Sequence, residues 1–206
     1  MAVLYVALLV TAGWAGAGLP RPAGPAKVPV ATLAAMAVVA VVSGLQLTVA
    51  PGLFEALRRD RAAIADGQVW RLVSSFVVQD SGWTGTVFNL VALAVLGTFA
   101  ERRWGTARWL ALAGTVQVLG GLWGLVVLPV GAGSSLVDFG LAASLAAAAL
   151  VLRTSLQVRA LGTVSLVAAL VLLVLGDVHG GAATLGAAAG LTLAVQQRRS
   201  TGSVHV

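Results

Sequence analysis

The 206-residue sequence contains no cysteine, which removes disulfide frameworks, thiolate nucleophiles and zinc–thiolate sites from consideration. It is also poor in charge: 10% of residues are Asp, Glu, Lys or Arg, against 59% hydrophobic. With a mean hydropathy of +0.97, the chain has too little polar side chain to coat a soluble globule of its length. It lacks a phosphate-cradling glycine loop with its lysine, a His-x-x-x-His pair or carboxylate cluster at metal spacing, and a basic surface interleaved with aromatics. No cofactor, no metal and no nucleic-acid partner is therefore expected. The net charge of +6 is distributed by connection rather than gathered on a patch.

What is there describes an integral membrane protein whose first partner is the lipid bilayer. A helix needs about 17 to 25 apolar residues to cross the hydrocarbon. Seven runs qualify: Ala2 to Leu19, Val28 to Ala50, Trp83 to Ala100, Trp109 to Val130, Ser135 to Leu152, Ala160 to Leu175, and His179 to Val195. Long uninterrupted runs are the opposite of the alternating pattern of a transmembrane barrel, so the fold class is an all-α polytopic bundle. The first run has no positively charged segment before it, which argues against a removable signal peptide, although Ala15-Gly16-Ala17-Gly18 keeps a cleavage site open. It is read as an extra N-terminal span. The expected organisation is residues 1–27 for that span and its loop, 28–195 for a six-helix membrane domain, and 196–206 for a short, polar, flexible tail in which His205 is unstructured.

The basic residues predict the orientation. Arg21, Lys27, Arg102, Arg103, Arg108, Arg153, Arg159, Arg198 and Arg199 fall in alternate connections and the tail, nine of the thirteen. By the positive-inside rule that side, with the C-terminus, is cytoplasmic. The other side receives the long connection from Pro51 to Gly82 and every acidic residue except Glu101. Depth follows from the 1.5 Å rise per helical residue. Ser135 and His179 each begin a span that enters from the outer side, and Asn89 lies about 9 Å below the outer start of a third. All three share the outer half of the membrane. Polar residues at such depth default to functional candidates.

Five landmarks recur in order: Trp70-Arg71, Phe88-Asn89, Glu101-Arg102-Arg103-Trp104-Gly105, Gly133-Ser134-Ser135 followed by Phe139-Gly140-Leu141, and His179-x-x-Ala182-x-x-x-Gly186. In this order and at these intervals the chain resembles the rhomboid intramembrane serine proteases, over about Gly67 to Leu191. The resemblance implies a six-helix rhomboid-like bundle to which the first span is an addition. It further implies a dyad in which Ser135 is the nucleophile and His179 its general base, with Asn89 donating to the oxyanion and transmembrane-helix proteins as substrates. A hydroxyl becomes a competent nucleophile only when a base within hydrogen-bond reach takes its proton. The plasma membrane of a bacterial cell is the expected location.

Two positions depart from the family pattern: Leu136 stands where glycine usually follows the serine, and Gly85 where a histidine usually precedes the asparagine by four. The first is expected to crowd the nucleophile and the second to delete an oxyanion donor. A second register lays Asp138-Phe139-Gly140-Leu141-Ala142-Ala143 over the serine signature, puts Ala142 at the nucleophile position and leaves no catalytic serine; Asp138, one turn from Ser135, is read as a cavity-facing carboxylate with no role assigned in either register. Structural readings stand beside the chemical ones. Ser135 is a helix N-cap, His179 an interfacial histidine, Asn89 interhelical glue, Trp70 and Trp83 an aromatic belt. Arg71 ties down the outer connection through carbonyls or through Asp66 or Asp80, and Glu101 and Arg103 form a turn network. Ala182, Gly186 and Gly190 recur every fourth position, a small-residue face that permits close helix approach against the span after Ser135. Three functions remain open: a rhomboid-type serine endopeptidase, an inactive rhomboid-like protein that binds transmembrane helices, and a small transporter or channel.

Overall fold

The computed structural model describes residues 1–21, 25, 27–152 and 154–202; Arg153 and His205, both weighed above, lie outside them. Helix α1 spans Ala2–Ala17 and α2 Val30–Thr48, followed by the long connection, which carries α3 (Gly52–Leu57), β1 (Arg59–Asp60), α4 (Arg61–Ala65) and α5 (Arg71–Ser74). Helix α6 (Gly82–Ala92) passes through a π turn (Leu93–Gly97) into α7 (Thr98–Trp104), and α8 covers Thr106–Val127. A second short strand, β2 (Val130–Gly131), precedes α9 (Ser135–Val151), α10 (Leu156–Val174) and α11 (Val178–Gly202). Five helices are long and apolar enough to cross a membrane, counting α6 to α7 as one; α1 and α9 are apolar but shorter. The protein is an all-α polytopic membrane bundle.

The centre of the bundle is α9. Every residue from Leu136 to Ala149 is buried, as expected of a helix apolar on all sides, and α11, α10, α1 and α8 pack around it. Large apolar side chains elsewhere point outward, among them Trp14, Val41, Val126 and Val174. Close packing between α9 and α11 depends on glycine. A Cβ on Gly186 would sit 2.0 Å from the Gly140 carbonyl oxygen, and one on Gly190 2.3 Å from that of Ser144. Ala182, grouped with these glycines by spacing, instead lies against Gly120 of α8.

The long connection is built, not loose. Asp60 caps α4 by accepting the N–H groups of Ala62 and Ala63, and β1 pairs antiparallel with β2, Arg59 opposite Gly131. This two-residue ribbon ties the connection to the turn that leads into α9. Arg71 donates to the Glu55 and Arg58 carbonyls and to Gln68, so carbonyls rather than Asp66 or Asp80 are its anchors. Trp70 and Trp83 are exposed.

At the opposite end of the bundle Glu101 accepts the N–H groups of Ala31 and Thr32 and the hydroxyls of Thr32 and Thr106. Arg103 donates to the Pro20 carbonyl and to the Gln197 side chain. The network expected there ties the starts of α2 and α8 to the end of α11. It also accounts for a difference in the tail: α11 continues helically to Gly202, past the predicted end at Val195, because Gln and Arg are good helix formers and Gln197 has a partner.

Candidate active site

Ser135 is the first residue of α9 and His179 the second of α11. His179 Nε2 lies 3.0 Å from Ser135 Oγ, within hydrogen-bond reach. The approach begins in the backbone. Gly133 has φ +132, and a Cβ there would stand 3.1 Å from Gln79 Oε1, 3.3 Å from Asn89 Nδ2 and 3.6 Å from Ser135 Oγ. Any side chain at Gly133 would therefore be strained and would fill the space between the serine and the asparagine. On α11 the neighbours of His179 are Gly180, whose Cβ would strike the backbone of Leu173, and Gly181, whose Cβ would strike the Trp123 indole. The histidine is thus seated between α10 and α8 at close range.

The imidazole is enclosed by aromatic rings and by a carboxylate. Phe139, one turn after Ser135, lies 4.5 Å from the His179 ring centroid, and Tyr5 of α1 lies 4.7 Å from it. Asp177 Oδ1 accepts the His179 backbone N–H at 2.8 Å and lies 2.9 Å from ring Nδ1. Its other oxygen accepts the Tyr5 hydroxyl at 2.5 Å. Burial pushes the Asp177 carboxyl up, but the hydrogen bonds from His179 and Tyr5 outweigh it and hold it at about 2. Trp123 Nε1 donates to the Asp177 carbonyl and fixes the turn.

Asn89, on α6, donates to Gln79 Oε1 at 2.7 Å. Gln79 is itself clamped by α2: Gln46 donates to its carbonyl and accepts its N–H. Gln79 Nε2 is buried without a partner among the described residues. Around these groups lies a cavity of about 380 Å³, lined by Ser135, His179, Asn89, Gly133, Phe88 and Arg59 among others. A second, apolar cavity of about 400 Å³ runs between α1 and the α6–π segment, and Phe88 lines both.

Other expectations resolve differently. Asp138 does not line the cavity; it is 1% exposed and its partner is Ser134 Oγ at 3.3 Å, because it lies in the stretch of α9 that is packed on every side. Ala142, the nucleophile position of the alternative register, is fully buried in mid-helix. Leu136 lines the cavity, yet its side chain reaches toward Gly120 of α8 and Ser135 keeps its contact with His179. At Gly85 a Cβ would lie 2.3 Å from that of Ser81, so the local fold has no room for a side chain there. Asp177, Tyr5 and Gln79 were not singled out from the sequence. Asp177 carried one local signal, an acid two residues before a histidine at a helix start; Tyr5 carried none, lying 172 residues from its partner.

A family model, the rhomboid domain, matches residues 66–199. The match covers more than half of the chain, and the chain belongs to the rhomboid family. Helices α1 and α2 lie before the matched segment. The comparison with curated proteins found no match.

Proposed function

We propose that the protein is a rhomboid-type intramembrane serine endopeptidase acting on transmembrane-helix substrates. The observation that carries the reading is the 3.0 Å approach of His179 Nε2 to Ser135 Oγ beside a cavity. In the proposed reaction Ser135 Oγ attacks the scissile carbonyl carbon while its proton passes to His179 Nε2. The tetrahedral oxyanion collapses, the leaving amine takes the proton from His179, and an acyl ester remains on Ser135. Water, deprotonated by His179, attacks the ester; collapse returns that proton to Ser135 and releases the new carboxylic acid, which loses its remaining proton to water. In this reading two kinds of donor would serve the oxyanion. Asn89 uses one of its two amide N–H groups on Gln79, leaving the other for substrate. The first N–H groups of α9 have no partner within the helix, as at any helix start.

A second reading, a rhomboid-like protein that binds transmembrane helices without cutting them, is favoured by Gly85, which supplies no side-chain donor. Fluorophosphonate labelling separates the two. Label on the parent protein that Ser135→Ala or His179→Ala abolishes, together with cleavage of a transmembrane reporter, supports the protease; absence of both with retained helix binding supports the second reading. The proposed orientation in a bacterial plasma membrane places the C-terminus in the cytoplasm. A topology reporter after Arg199 then reads cytoplasmic and one at Asp66 external.

A further inference from the structure

We propose that Asp177 and Tyr5 are positioning residues for His179, so that the working unit is a Tyr–Asp–His–Ser relay completed by α1, a helix outside the segment matched to the rhomboid domain. The proposal rests on the protease reading above. Its ground is the saturation of one carboxylate from three directions. Oδ1 lies against both the backbone N–H and the ring Nδ1 of His179, at 2.8 and 2.9 Å, and Oδ2 takes the Tyr5 hydroxyl at 2.5 Å. An ionised carboxylate only accepts, so the donor in the ring contact is Nδ1–H. That assigns the tautomer: the Nε2 lone pair faces Ser135 Oγ at 3.0 Å, the arrangement a general base requires.

Asp177 cannot swing away without breaking other bonds. Its N–H donates to the Leu172 carbonyl and its carbonyl accepts from Trp123. Tyr5 holds the far oxygen, and its ring packs on both His179 and Phe139, with centroids 4.7 and 5.3 Å away. Helix α1 is in turn fixed to α10 by Ser165, whose hydroxyl donates to the Leu8 carbonyl one turn further along. The N-terminal helix therefore completes the site rather than only anchoring the chain.

The chain has two histidines, so in a His205→Gln protein the single imidazole is His179. Nitrogen NMR of that protein in micelles, at a pH where the ring is neutral, should place the proton on Nδ1. In Asp177→Asn it should shift wholly or partly to Nε2. On a transmembrane substrate, Asp177→Asn should lower kcat by about 10² to 10⁴ with little change in KM, and Asp177→Glu should restore part of the loss. Tyr5→Phe, which keeps the ring packing, should lower kcat about 5- to 10-fold, and the double variant should be no slower than Asp177→Asn alone, since members of one unit are non-additive. A proton on Nε2 in the parent protein, or a Tyr5→Phe loss that adds in full to that of Asp177→Asn, would overturn the proposal. A parent protein that holds the Nδ1 tautomer but never turns over substrate would sink the protease reading and leave the positioning network standing.

Discussion

Glu101 and Asp177 are carboxylates at opposite ends of the bundle, about 30 Å apart along α8, and each accepts backbone N–H groups at the start of a helix. Glu101 spends all its bonds on architecture: two N–H groups of α2 and two threonine hydroxyls. Asp177 divides its bonds among a helix start, the Tyr5 hydroxyl and an imidazole that faces a cavity. The same chemistry of burial and saturation serves structure at one end and poise at the other. What separates them is whether the partner of the carboxylate has a second face left over. The threonines and backbone groups around Glu101 line neither cavity; the imidazole beside Asp177 has a second face on the site cavity, and that face points at a hydroxyl.

The comparison breaks most severely where both ends depend on a shared scaffold. Gly186 joins α11 to α9 in mid-bundle, with no room for a Cβ against Gly140. Gly186→Val should cost about 4 to 5 kcal/mol or prevent folding, whereas Ala188→Val, at an exposed position, should stay within about 0.5 kcal/mol. Thermal unfolding in detergent reads both. Equal midpoints would show that the small face of α11 does not set the distance between Ser135 and His179.

The next effect belongs to the site end alone. If the proposed protease reading holds and Asn89 serves as an oxyanion donor, Asn89→Ala should lower kcat about 10²- to 10³-fold, equivalent to about 2.7 to 4 kcal/mol. Its unfolding midpoint should move little, because Asn89 is half-buried and Gln79 remains clamped by Gln46. A drop in stability that matches the drop in turnover would reassign Asn89 to interhelical packing.

Glu101→Gln is the counterpart at the other end and should show the reverse pattern. An amide keeps one acceptor oxygen but presents N–H groups to the α2 N–H groups, leaving donors facing donors. The expected loss is about 1 to 3 kcal/mol of stability, with kcat of the folded protein unchanged. Turnover that falls in parallel would mean that the two ends are coupled.

Much of this arrangement was legible in the sequence, for a physical reason that also marks the limit. Hydropathy reports which segments leave water, and the seven runs coincide with α1, α2, α6 to α7, and α8 to α11 to within four residues at every boundary except the end of α11, which runs on to Gly202. The depth of Ser135, His179 and Asn89 follows from counting residues along those runs. Lateral neighbours do not, since a small face permits close approach without naming a partner: Ala182 meets α8 although it shares the spacing of Gly186, which meets α9. Tyr5 and Asp177 show the same limit most clearly. Their bond depends on α1 packing against α9 and α10, and nothing in the spacing within either segment encodes it. Gln79 was hidden because its role depends on Gln46 fixing its backbone from a different helix.

Asp138 offers the smallest effect and the sharpest contrast with both carboxylates. It is buried to 1% exposure, its Oδ1 has no partner among the described residues, and its Oδ2 has one long contact with Ser134. Where Glu101 and Asp177 are saturated, Asp138 is not, and an uncompensated buried carboxyl group destabilises a fold. Asp138→Asn keeps the shape, removes the ionisable group and leaves an oxygen for the Ser134 hydroxyl. Stability should therefore rise slightly, by up to about 1 kcal/mol, and kcat should hold, because the side chain faces the bundle rather than the cavity. Loss of turnover at constant or higher stability would place Asp138 in the chemistry of Ser135, one helical turn away, and would mean that saturation does not distinguish the carboxylates that work from those that do not.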